Sequence, residues 1–340
     1  MKLGATLKYT ALATLGFSVA LAGSAFAADL MPIKAPPAAY VPTVSAWEFE
    51  IGARYFGSTG RSQYDLYDAA GAAMVSRLTY TGTTAHAGEA FGRLDHSSGV
   101  FIKGFGGFGG IGEGKLQDED FPPFVVPYSS TDSRQRNGDF SYFSADLGYN
   151  VWSNNAFKVG AFAGYFHYSE KLDAFGCTQT AGSAICVPSI PDSVHVIRQE
   201  TDWDALRIGV NAQWFLTDRL KFTLDAAWIP YASLDARDTH LLRIGVPGGF
   251  TGPTRQTGDG YGVMIEGVLS YAVTQNLSLG VGGRYWRIET GAHEATMHFE
   301  ESAIPVGAFA PQKLTFETER YGGFVQLSYK FGGAPVMASY

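Results

Sequence analysis

Apolar and polar residues alternate at period two in segment after segment of this chain, a rhythm that admits little besides a sheet with two chemically different faces. Trp47, Phe49, Ile51, Ala53 and Tyr55 fall on one face, and Glu48, Glu50, Gly52 and Arg54 on the other. The pattern returns in 143–151 opposite Asp146, 157–163 opposite Lys158, 206–214 opposite Arg207, and 220–228 opposite Lys221 and Asp225. It recurs in 261–271 opposite Glu266 and 277–285 opposite Arg284, and a last segment ends in Val325, Leu327, Tyr329 and Phe331. Beyond the N-terminus no stretch holds the about 18 consecutive apolar residues of a helical span. Any membrane crossing must therefore be made by strands.

The N-terminus reads as an export signal. Lys2 and Lys8 precede a nearly uncharged run over 9–22, and Ala25-Phe26-Ala27 forms a small-x-small cleavage site, so residues 1–27 are expected to be removed. The run is shorter than the roughly 20 residues needed to cross a bilayer. Residues 28–45 carry Pro32, Pro36, Pro37 and Pro42 and read as an extended periplasmic N-terminal segment without a core. Residues 46–331 hold the strands, and 332–340 form a C-terminal tail. Export and two-faced strands point to a barrel in the outer membrane of a Gram-negative bacterium. A soluble secreted β-sandwich or solenoid would share the 14% aromatic content and the 42 Gly. The net charge of −7 argues against nucleic acid as a partner.

Four short polar turns punctuate the strands: Asp95-His96-Ser97-Ser98, Ser153-Asn154-Asn155, Thr217-Asp218-Arg219 and Thr274-Gln275-Asn276. Between successive turns lie an up strand, a long variable connection and a down strand. This arrangement predicts an all-β, ten-stranded antiparallel transmembrane β-barrel with short periplasmic turns and long extracellular strand extensions. A leg such as 74–94 exceeds the about 9 to 11 residues that a tilted strand needs, so the surplus should project above the lipid. Trp152, Trp214, Trp228 and Tyr329 fit an interfacial girdle.

The inward faces carry Glu48, Glu50, Arg54, Asp146, Lys158, Arg207, Asp225, Glu266 and Arg284. In so narrow a bore these charges should pair and plug it, which weakens a diffusion pore. Cys177 and Cys186 share the third outer connection, where an exported pair nine positions apart is expected to form a disulfide. Metal binding by the pair lacks a His at ligand spacing.

The candidate chemistry lies at the rim. Up strands starting at 46, 99, 157, 220 and 277 carry Asp118 and Asp120 to the outer end of the third strand, and Asp238 and His240 to that of the seventh. Four strands apart on a ten-strand circle, the pairs nearly face each other, two carboxylates against a carboxylate-histidine dyad. Asp-x-Asp alone is weak, since Asp202 and Asp204 repeat it. On strict alternation Asp238 and His240 share the lipid-facing parity of 220–228, unless Pro230 marks a bulge that shifts the register. The glycine-rich stretch 104–114 leaves the third strand's parity unreadable.

With Ser76-Arg77-Leu78 on the second strand, Ala163-Gly164-Tyr165 on the fifth, Asp118-Glu119-Asp120-Phe121 and Asp238-Thr239-His240, residues 46–331 resemble the omptin family of outer-membrane aspartyl-type proteases. The resemblance implies peptide-bond hydrolysis by an activated water. His240 would be general base, Asp238 would orient its imidazole, and Asp118 with Asp120 would hold or polarise the water from the opposite wall. Asp132, with Ser133 beside it, is similar to an acidic substrate-binding position. Two further acids that select basic residues in the family align with Gln63 and Ala236. Of the lipopolysaccharide-contacting cluster Tyr165 matches, while His167 and Ser169 stand where an acid and an arginine are expected, so dependence on that lipid stays open. Neither cofactor nor metal is implied. The expected partners are outer-membrane lipid and an extracellular polypeptide substrate, met by a monomer. A non-enzymatic barrel serving adhesion or envelope integrity is the competing reading, and a small porin the third.

Overall fold

In the computed structural model, residues 45–122, 125–247, 249–299 and 311–332 are described. The expected signal at 1–27 and nearly all of the 28–45 and 332–340 segments lie outside these residues. Eleven antiparallel strands close into one ring: β1 (Trp47–Tyr67), β2 (Met74–His96), β3 (Val100–Asp120), β4 (Ser129–Ser153), β5 (Phe157–Gln179), β6 (Ile190–Phe215), β7 (Leu220–His240), β8 (Thr254–Ala272), β9 (Leu277–Thr290), β10 (Ala295–His298) and β11 (Gln312–Gly332). β1 pairs with both β2 and β11, so no edge is left open.

Ten staves are nonetheless the right count. β9 pairs with β8 and β11 up to Thr290, and after a break at 291–294 β10 takes its place between the same two neighbours. β9 and β10 are thus one interrupted up strand. Most of the length expected as outer loop is strand; only 68–73 connect β1 to β2.

The outward face carries an apolar belt. On β11 it runs from Tyr321 to Phe331, and exposed Tyr55, Tyr231, Tyr261 and Tyr321 mark its upper edge, with Trp47 and Trp152 at the lower. Eleven residues is the span expected of a tilted transmembrane strand. Inside, charge is matched with charge. Arg54 and Arg284 both hold Glu89 and Glu266, and Lys103 and Arg207 both hold Asp146 and Asp225. Glu48 pairs with Lys330 and Glu50 with Lys221. Lys158 joins none of these pairs and stands 6.0 Å from the Phe215 ring. Above these pairs Phe56, Tyr142, Phe166 and Tyr168 pack around Trp286, which is fully buried.

Just above the upper tyrosines the ladders slip. β2 carries an extra residue near Gly82, whose φ is +62°, β4 carries one near Asn137, φ 62°, and β7 carries one at Pro230-Tyr231. An added residue reverses which side chains face inward. On β7 Ala227 and Ile229 are buried below the bulge, whereas Ala232, Leu234, Ala236 and Asp238 are buried above it. On β3 Phe101 and Ile111 are buried below Gly112-Glu113, and Leu116 above.

Candidate functional site

The β7 bulge decides the site. Without it Asp238 would point away from the bore; with it Asp238 is 3% exposed and its carboxylate is held from two sides. Tyr64 Oη, from an inward position of β1, donates to Asp238 Oδ2 at 2.9 Å, and His240 Nε2 meets the same oxygen at 2.9 Å. Thr254 on β8 donates to the Asp238 backbone carbonyl at 3.2 Å. Holding Nε2 this way leaves Nδ1 as the nitrogen able to accept a proton. The Phe250 ring stands 6.0 Å from the imidazole.

Asp118 and Asp120 occupy the last inward positions of β3. Asp118 is paired in register with Leu78 of β2 and Thr131 of β4, and Asp120 with Ser76 and Ser129. All four groups line one cavity of about 630 Å³ at the outer mouth, together with Tyr64, Ser133 and the Cys177–Cys186 disulfide. From Tyr231 at the edge of the apolar belt to His240 the strand runs roughly 30 Å, so the site stands clear of the lipid.

Burial and neighbouring charge set the protons. Desolvation raises Asp118 to about 7, opposed by His240 and aided by Asp120 and Asp238. Asp120 is raised by the same burial, with His240 and Arg243 opposing. Burial would lower His240, but the Asp238 carboxylate and its hydrogen bond, with Asp118, lift it to about 9. Burial, and then Asp238, pushes the Tyr64 hydroxyl well above its usual range, so it stays a donor. At neutral pH His240, lifted to about 9, rests as the imidazolium and faces Asp118, whose carboxyl shares a proton with solvent.

Other expected positions fall differently. Asp132 lies on the outer side of β4, where Lys115 Nζ holds its Oδ2 at 2.8 Å; it is not part of the cavity lining, because Thr131 and Ser133 take the inward positions. Gln63 likewise faces outward, hydrogen-bonded to Asp65 and Thr79, while its neighbours Ser62 and Tyr64 are buried. Ala236 is inward, buried two residues below Asp238. Tyr165 and His167 both bond Asp204 on the outer face, and Ser169 pairs in register with Asp202. Sequence reading missed two residues. Tyr64 was signalled by its even parity on β1; Arg243, in the turn after β7 and on the cavity wall, carried no periodic signal.

No protein-family model matches the chain, and no curated protein matches it. Among solved structures it is similar to the outer membrane protease OmpT of Escherichia coli, at 15% identity and a TM-score of 0.66, covering 86% of this chain and 99% of that one. The Ralstonia pickettii toluene transporter TbuX aligns over 85% of this chain and 90% of its own at 10% identity, with a TM-score of 0.33. The translocator domain of the autotransporter NalP from Neisseria meningitidis aligns over 86% and 90% at 9% identity, with a TM-score of 0.32. The first likeness establishes an omptin-like outer-membrane β-barrel fold; the other two are too distant in shape to add to it.

Proposed function

We propose that this barrel is a cell-surface endopeptidase of the Gram-negative outer membrane, acting as a monomer on extracellular polypeptides. The observation that carries this reading is the convergence of Asp118 and Asp120 from β3 with the hydrogen-bonded Asp238–His240 dyad from β7 on one water-accessible cavity. As base, His240 takes a proton from a water that attacks the peptide carbonyl, and the resulting imidazolium returns that proton to the departing amine. Asp238 fixes the ring and stabilises its charged form. Asp118 and Asp120 position the water from the facing wall. No covalent intermediate is needed, and no Ser or Cys nucleophile is invoked.

The test is cleavage of a mixed peptide library by the refolded full chain, read by mass spectrometry. His240→Ala is expected to lower kcat/KM by about 10²- to 10⁴-fold, the range that a positioned base contributes. Because His240 is lifted to about 9, the wild-type rate should climb from pH 6 towards pH 9. Cleavage that persists unchanged in His240→Ala would remove the proposal. Lipopolysaccharide dependence belongs to the same reading, through Tyr165 on the outer face, and is read by repeating the assay with and without the lipid.

A further inference from the structure

The buried carboxylate of Asp238 takes both of its partners on one oxygen. Tyr64 Oη donates to Oδ2 at 2.9 Å, His240 Nε2 meets the same Oδ2 at 2.9 Å, and Oδ1 accepts no hydrogen bond among the described residues. Two donors occupy the lone pairs of Oδ2. Charge shared with the phenol hydroxyl is charge withdrawn from the imidazole, so the Tyr64 bond weakens the grip of Asp238 on the protonated ring.

Tyr64 is held where it makes that bond. It lies directly opposite Phe316 of β11 in register, and the two rings stack at 6.0 Å with an interplanar angle of 20°. Phe316 in turn meets the edge of Trp203 at 6.1 Å, and the Trp203 indole nitrogen donates to Thr318 Oγ1 at 3.0 Å. Phe316 and Trp203 are fully buried. This packing uses the ring of Tyr64 and leaves its hydroxyl to Asp238, the one hydrogen-bond partner it has among the described residues.

Other titratable groups face the dyad. Asp118 and Asp120 approach from β3, Arg243 from the turn after β7 and Tyr128 from the connection before β4. Tyr80 is buried on β2, one inward position below Leu78. Among the described residues, β4 to β6 and β8 to β11 add no titratable side chain to the cavity lining, and only Tyr64 and His240 hydrogen-bond or pair with the Asp238 carboxylate.

We infer that Tyr64 is a positioning residue that tunes the base: acting through Asp238, it lowers the pH at which His240 gives up its proton and so brings the free imidazole closer to neutral pH. The consequence for rate rests on the proposed peptidase reading, but the proton affinity of His240 is measurable without substrate. Tyr64→Phe keeps the ring and its stack and removes the donor. Refolded wild type and Tyr64→Phe, labelled with ¹⁵N-histidine, are titrated by NMR, with the His240 signal assigned by its loss in His240→Ala, and kcat/KM on the peptide library is recorded across the same pH range. In Tyr64→Phe the His240 midpoint should rise by about one unit, the scale of a hydrogen bond to a charged group. On that shift kcat/KM at pH 7 should fall about tenfold, with the deficit closing at high pH. A ring-fluorinated tyrosine at position 64, a stronger donor of nearly the same shape, should move the midpoint down. An unmoved or lowered midpoint in Tyr64→Phe, or a loss of rate equal at every pH, would overturn the role; should Tyr64→Phe not fold, an unmoved midpoint with the fluorinated ring would do so instead. A raised midpoint without wild-type cleavage would retain the tuning and remove the peptidase; cleavage with an unmoved midpoint would retain the peptidase and remove the tuning.

Discussion

Asp238 gives one oxygen to two donors, Tyr64 and His240, and its proximity adds to what burial does to the groups around it. Against the lowering effect of burial it lifts His240, and it adds to the burial that raises Asp118. Asp118 therefore carries a linkage signature. Its folded value of about 7 lies above the ordinary 3.8, so the folded state binds the proton more strongly than the unfolded chain does. Stability from this group is present in full below pH 4 and is lost as pH rises to 7. Asp118→Asn mimics the protonated form and escapes the loss. In thermal melts in detergent, the variant should match the wild type near pH 4 and melt several degrees higher at pH 8. Equal melting at both pH values would mean that Asp118 is solvated and not desolvated. His240, raised from 6.5 to about 9, adds a loss of the same sign over that higher window, and Asp118→Asn weakens it by removing one supporting charge.

The bulge at Pro230-Tyr231 turns a strand that faces lipid with its even residues into one that faces the cavity with them. Deleting Tyr231 removes the extra residue and should reverse the inward set from Ala232 upward. Single cysteines report this: in the wild-type background Cys at position 237 should label quickly and at 238 slowly, and the deletion should exchange the two rates by roughly tenfold. Rates that stay as they were would mean that the strand slides at its tip and restores the register. This element also marks what was legible in the chain. Period-two faces and polar turns carried the ten staves, and the third turn, read at 217–219, lies within the observed 216–219. The four-residue site was legible as spacing at two strand ends. Its orientation was not, because one inserted residue reverses every later side chain while leaving composition and length almost unchanged. The slip near Gly112-Glu113 on β3 is hidden in the same way within a run of glycines that have no side chain to report a face. Gln63 and Asp132, the positions that the resemblance aligns with substrate-selecting acids, face outward beside the inward Tyr64 and Ser133. Arg243 lies in a turn, where no period exists to be read.

The cavity at the mouth stands above a bore crossed by ion pairs and an aromatic cluster, which supports the proposed reading of a platform over that of a passage. The filling depends on charges that would be untenable singly. Arg284 is fully buried, meets Glu89 at 2.6 Å and Glu266 at 2.5 Å, and lies 3.9 Å from the Phe105 ring centroid. Arg284→Ala leaves Glu89 with Arg54 and Tyr142, and Glu266 with Arg54 alone. Stranding buried carboxylates in this way should cost about 3 to 5 kcal/mol in urea unfolding from vesicles. Adding Glu89→Ala to Arg284→Ala should recover part of that loss, since the pair is coupled and the two costs are not additive. Arg284→Lys should fall between, because an ammonium cannot bridge two carboxylates with the fork of a guanidinium. A cost below about 1 kcal/mol for Arg284→Ala would mean that water reaches the quartet. The bore would then be hydrated past its ion pairs, and a conducting pore would regain the ground that the paired interior takes from it.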